Sequence, residues 1–96
     1  MISLRQIRYA LAVEETLHFR KAAELCSISQ SALSTALAEM EKQLGFQVFE
    51  RDNRKVIVTP SGRAVLDKAR VIRREMRDLE RLAELHGAPG NRPAAK

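Results

Sequence analysis

Gln30, Ser31, Ser34 and Thr35 are polar side chains that carry no charge. At helical period they fall, with Ala38 and Lys42, on one continuous polar or small face. A carboxamide and three hydroxyls can donate and accept hydrogen bonds together. That is the chemistry of reading another molecule's edge, and equally of an ordinary solvated helix surface. The surrounding stretch, "SISQSALSTALAEMEKQLG" from Ser27 to Gly45, holds five hydroxyl side chains and a single basic residue, Lys42. Positive charge lies to either side, at Arg20 and Lys21 before it and at Arg51, Arg54 and Lys55 after it.

Catalytic chemistry finds little support. The histidines are His18 and His86, with no metal-ligand spacing and no phosphate-binding glycine loop around them. Glu14, Glu15 and the later acids read as spread over solvated faces. No metal, no cofactor and no enzymatic activity are expected. Cys26 is the only cysteine, so no intramolecular disulfide can form, and a reducing compartment is the natural reading. Between Leu25 and Ser27 it reads as a small buried residue. No apolar run approaches the ~20 residues that span a bilayer, and "MISLRQIRYALAVEE" lacks the pattern of a signal peptide. A cytoplasmic protein with no membrane partner is expected.

The 96 residues make one small domain, or one domain with an appendage. Apolar residues form 45% of the chain, but there is no Trp, one Tyr and three Phe, so the core is aliphatic and favours helices packed on helices. A net charge of +5 suits a polyanionic partner such as nucleic acid or an acidic membrane face, and equally a merely basic soluble protein.

The elements that must position these residues follow from periodicity and punctuation. Ser3 and Gln6 form a capping box ahead of a helix over about Leu4–Glu15. "FRKAAEL", Phe19–Leu25, reads as a short helix with Phe19, Ala22, Ala23 and Leu25 inward. Ser29 is an N-cap for a third helix over about Gln30–Leu44, ended by Gly45. Leu33, Leu37, Met40 and Leu44 are its apolar stripe. "FQVFER" and "KVIVT", separated by "DNRK", predict a β-hairpin with Arg51, Arg54 and Lys55 near its tip. Thr59-Pro60 starts a long helix that runs to His86, roughly 40 Å at ~1.5 Å per residue. Along it Val65, Ala69, Ile72, Met76, Leu79 and Ala83 recur in heptad steps. A helix this long exceeds what the rest of the chain can cover, so its seam predicts a partner helix. "GAPGNRPAAK" reads as a linker or tail.

Helix, short helix, tight turn, helix, hairpin and long helix is the order of a winged helix-turn-helix. The fold class expected is mainly α: a winged helix-turn-helix over residues 1–59, a linker and dimerisation helix over 60–86 and a flexible tail over 87–96. The residues that fix it are "HFRKAAELCSISQSALSTALAEMEKQLGFQVFERDNRKVIVTPSG". Phe19 is followed by Lys21, Ala22 and Ala23, then Ser29-Gln30, Ser34, Met40-Glu41, Leu44-Gly45, Phe49-Glu50-Arg51, a basic turn, and Thr59 with Gly62 three residues on. From Leu4 to about Leu85 the chain resembles the N-terminal DNA-binding region of LysR-type transcriptional regulators. "HFRKAA" and "ERDNRKVIVT" are most similar to the hydrogen-peroxide-sensing branch. Ser31 stands where relatives commonly carry Pro, Thr35 and Ala36 where they often carry a basic residue and Gln, and Ala10 where Phe is common.

The resemblance implies sequence-specific binding of double-stranded DNA. The helix from Gln30 to Leu44 would enter the major groove, and the wing, residues 51–55, a minor groove of an A/T-rich imperfect inverted repeat. A Gln30 carboxamide can pair with adenine N6 and N7, and the Thr35 methyl can touch a thymine methyl. Ser31, Ser34 and Thr35 offer hydroxyls to bases or phosphates. Arg20 and Lys21 would lie near phosphates. Arg54 resembles the family's minor-groove arginine. Arg51 and Lys55 would touch phosphate, or Arg51 would brace the hairpin against Glu50 or Asp52. Val65, Ala69, Ile72, Met76, Leu79 and Ala83 would form the homodimer seam. Full-length relatives imply an effector-binding domain after the tail, a tetramer as a further assembly and RNA polymerase as a partner. A protein-interaction module built on the long helix is the rival reading. It would leave Gln30, Ser34 and Arg54 without a task.

Overall fold

The structure is a computed structural model that describes residues 1–52 and 55–87. In chain order it has α1 (Leu4–Thr16), α2 (Phe19–Cys26), α3 (Gln30–Leu44), β1 (Phe49–Arg51), β2 (Val56–Val58) and α4 (Pro60–His86). The strands pair antiparallel, with Phe49 opposite Val58 and Arg51 opposite Val56. Arg54 and residues 88–96 of the expected tail lie outside the described residues.

Local chemistry sets the helix ends. Ser3 Oγ accepts the Gln6 amide, and the Gln6 side chain accepts the Ser3 amide, closing the expected capping box. Ser29 Oγ accepts the Ala32 amide at 3.0 Å, and Gly45 ends α3 at φ 87°, a left-handed conformation that glycine adopts without steric cost. α1 and α2 end instead on left-handed Leu17 and Ser27, positions where no glycine marks the turn.

The largest fully buried side chains are Val13, Leu33, Met40, Val48 and Leu66, drawn from α1, α3, the entry to the hairpin and α4. Phe19, Ala22 and Ala23 bury the inner face of α2, and the small alanines let its neighbours approach closely. Leu25, expected inward, is 59% exposed. Two residues beyond Ala23, it is rotated about 200° around the helix and points away from the body. Cys26 is half-buried, and burial pushes its thiol upward against the smaller opposing effect of Arg8.

The first three turns of α4 use Gly62, Leu66 and Ala69 as their inward residues, a stripe one step over from the expected seam at Val65. Glu14, read as a solvated acid, is half-buried between α1 and α4. Its carboxylate takes Arg63 at 3.0 Å and Arg70 at 2.5 Å, and Arg70 also pairs with Asp67. Hydrogen bonding to Glu14 is the main reason the Arg70 guanidinium holds its proton more tightly than usual.

The start of α4 is seated on the hairpin. Thr59 Oγ1 donates to the Gln47 carbonyl at 2.6 Å and accepts the Gly62 amide at 2.8 Å, while the Thr59 amide donates to the Val48 carbonyl at 3.0 Å. A Cβ on Gly62 would sit 2.2 Å from the Val48 carbonyl oxygen, so only glycine fits this backbone contact. Gly62→Ala is expected to destabilise the chain by about 1–3 kcal/mol, read as a lowered midpoint in urea unfolding.

Candidate nucleic-acid interface

α2 and α3 meet across Ser27 and Ile28, and the Ile28 amide donates to the Ala23 carbonyl at 3.0 Å. This tight turn presents the N-terminus of α3 outward. Gln30, Ser31 and Thr35 are exposed and Ser34 is half-buried, so the small polar face lies open along α3. Ser31 Oγ lies 3.3 Å from the capping Ser29 Oγ, which ties the two hydroxyls at the helix entry. On the opposite face Leu33, Leu37 and Met40 are buried.

The flanking charge converges on this face. An open groove of about 340 Å³ is lined by His18, Arg20, Gln30, Arg51 and Lys55, among others. It brings residues of α2, α3 and the hairpin into one concave surface. Lys21, Ser31, Ser34 and Thr35 do not line it. Arg20, Lys21 and Lys55 are exposed.

Arg51 does something the sequence did not signal. Its guanidinium carbon lies 4.2 Å from the centroid of the Phe19 ring. Phe19 in turn meets Phe49 edge-on, with centroids 6.3 Å apart and planes at 83°. Arg51 thus stacks on α2. The hairpin's inner end is held differently: Glu41 Oε2, on α3, accepts the Val48 amide at 2.8 Å and the Phe49 amide at 3.1 Å. The Met40-Glu41 pair thus divides its work, with Met40 in the core and Glu41 on the hairpin backbone.

His18 also escaped the sequence reading. It is the N-cap of α2, its Nδ1 accepting the Lys21 amide at 3.2 Å. Thr16 Oγ1 holds its backbone from the other side, accepting the His18 amide at 3.2 Å. Histidine is an uncommon cap, so the only available signal was a polar residue just ahead of the apolar pattern. An acceptor at Nδ1 places the proton of a neutral ring on Nε2.

Of the expected dimer residues, Ala69 is buried in the chain's own core and Val65 packs partly against it. Ile72 and Met76 are half-buried, whereas Leu79 and Ala83 are exposed. Ala69 is therefore closed to a partner helix, because α1 already covers that turn of α4. The described residues contain no group of three or more His, Cys, Asp or Glu placed to hold a metal, and none of their helices is long and apolar enough to cross a membrane.

A three-helix body with a two-stranded wing between its third helix and a long fourth one defines a winged helix-turn-helix DNA-binding domain. Residues 4–63 match the model of bacterial regulatory helix-turn-helix proteins of the lysR family, and the chain belongs to that family. It is 38% identical over 86 residues to a hydrogen peroxide-inducible genes activator of Haemophilus influenzae, covering 90% of this chain and 29% of the relative. Among solved structures it is similar to a full-length OxyR variant of Pseudomonas aeruginosa, with TM-score 0.85 and 30% identity over 90% of this chain and 29% of that one. It is also similar to BenM_DBD in a complex with benA site 1 DNA, with TM-score 0.83 and 33% identity over 92% of this chain and 98% of that one. The chain thus spans less than a third of the length of the curated relative.

His18→Ala is expected to lower stability by ~1 kcal/mol, while His18→Asn, which restores a capping oxygen, returns it to the parental value. Thermal unfolding followed by circular dichroism checks both.

Proposed function

We propose that this chain is the DNA-reading head of a bacterial LysR-type transcriptional regulator. The observation that carries this reading is the groove in which Arg20, Gln30 and Lys55 converge from α2, α3 and the wing. The DNA complex of the similar BenM_DBD supports it.

α3 enters the major groove with its N-terminal turns foremost. Its short side chains let the backbone approach the base edges, and Gln30 pairs with an adenine. Ser31, Ser34 and Thr35 supply hydroxyls, and the Thr35 methyl contacts a thymine methyl. Arg20, Lys21 and Lys55 neutralise phosphates and supply the salt-dependent share of affinity. Arg54 inserts into an A·T-rich minor groove. The work is binding with no catalytic step, carried out on chromosomal DNA in the cytoplasm.

Residues 1–59 form the reading head, and 60–86 the linker helix through which two copies pair. From 87 onward the chain leads toward an effector-binding domain, whose regulator works as a dimer or tetramer and addresses RNA polymerase. Support for pairing comes from α4. Leu79, Leu82 and Leu85 are exposed at 59%, 48% and 70%. A hollow of about 240 Å³ between α1 and α4 and one of about 190 Å³ that also takes Met40 and Leu44 of α3 share Ile7 and Ile72. A second copy's α4 would cover Ile72, Met76, Leu79 and Ala83, and two-fold pairing would set two heads on an imperfect inverted repeat.

Fluorescence titration with an A/T-rich duplex tests the DNA reading. Gln30→Ala should reduce discrimination at one base pair by ~1–3 kcal/mol, whereas Lys21→Ala should weaken all duplexes alike and lower the salt slope by about one. Equal weakening of target and random DNA by Gln30→Ala would remove Gln30 from base reading. Leu79→Glu is expected to yield monomers in sedimentation equilibrium with helix content unchanged.

A further inference from the structure

The wing has a physical difficulty. A two-stranded hairpin is marginal in water by itself, and this one has three residues per strand. Its inner end is fastened by Glu41 to the Val48 and Phe49 amides and by Thr59 to the Val48 carbonyl. The outer end closes on itself. The Asp52 amide donates to the Lys55 carbonyl at 3.1 Å, and the Lys55 amide donates to Asp52 Oδ1 at 2.9 Å. Those bonds shape the turn but do not aim it at the helices.

Beyond the inner fastening, Val56 on β2 packs partly against the core, and Arg51 on β1 reaches Phe19. Arg51 is the last residue of β1, paired with Val56. Its guanidinium stands 4.2 Å above a ring that is itself buried at the N-terminus of α2 and locked edge-on by Phe49. A planar cation over a fixed aromatic face is attracted by the ring's quadrupole and packs flat against it, which an ammonium does less well.

We infer that Arg51 is a positioning residue: stacked on Phe19, it fixes the outer end of the paired strands relative to α2 and α3. On this inference Arg51 does not serve as a phosphate contact, and its charge is spent on geometry within the chain. The consequence for recognition rests on the DNA-binding reading above. With the strut in place, the wing and α3 meet their two grooves as one rigid body. Without it, α3 still reads its base pairs, but the wing no longer selects its flanking sequence.

The test separates charge from stacking and free protein from complex. In the free 96-residue chain, Arg51→Lys and Arg51→Ala should both speed amide exchange over residues 50–56 by roughly two- to fivefold, with α3 unchanged. Lys55→Ala, which removes a neighbouring charge, should leave wing exchange as it is. In the second arm, duplexes with A·T or G·C pairs under the wing are titrated across a salt series. Arg51→Lys should lose the A·T preference as fully as Arg51→Ala, while discrimination dependent on Gln30 survives in both. Parental wing exchange in Arg51→Lys would overturn the strut. So would parental DNA binding by Arg51→Lys alongside a salt slope lowered by about one in Arg51→Ala, the signature of a phosphate contact. If the parental chain binds no duplex at low salt, the DNA-binding reading fails, and the exchange arm still decides the strut.

Discussion

The fold turns on one crowded junction, where the hairpin's entry, its exit and the start of the long helix share a few atoms. Thr59 caps α4 with the same oxygen that donates to the Gln47 carbonyl, and its amide holds the Val48 carbonyl. Gly62 then lies against that carbonyl with no room for a side chain. Val48 is buried in the core, so the junction is anchored from inside. Because the wing and α4 both leave from this point, the direction of one constrains the direction of the other. Thr59-Pro60 reads in the sequence as a helix start. In the structure Thr59 is also the joint between the hairpin and α4.

What the sequence disclosed was local. The bounds of α3 and α4 were legible because each is marked within a few residues: Ser29 and Gly45 for one, Thr59-Pro60 and the glycine at 87 for the other. The polar face of α3 followed from period alone. Legibility failed where the partner lies far along the chain. Glu14 meets Arg63 and Arg70, Glu41 meets the hairpin amides, and Arg51 meets Phe19. Nothing in the spacing of a charged residue reveals which distant group it will face. The inward stripe of α4 failed for a related reason. Val65–Ala69 and Leu66–Ala69 are both acceptable helical steps, and only the position of α1 decides between them.

The candidate interface divides labour by side-chain length. Long basic residues stand at the rim, where they can reach outward. Short hydroxyls lie along the polar face of α3, beside the interface groove, where greater length would hold the helix away from a partner. The low charge of the segment from Ser27 to Gly45 is thus compatible with a polyanionic partner, since attraction acts over distance and edge recognition needs close approach. Several basic residues are also committed elsewhere: Arg63 and Arg70 to Glu14, and Arg51 to an aromatic ring. Net charge alone would overstate how many positive groups are available to a partner.

The pairing of Glu14 with Arg63 and Arg70 makes α4 a lever with a defined bracket. The bracket grips α4 over its first turns, and about 24 Å of helix continues beyond Arg70 to His86 at ~1.5 Å per residue. A tilt of roughly 10° at the bracket would carry the far end sideways by about 4 Å. A small angular error near residue 14 is thereby magnified along the exposed end of α4.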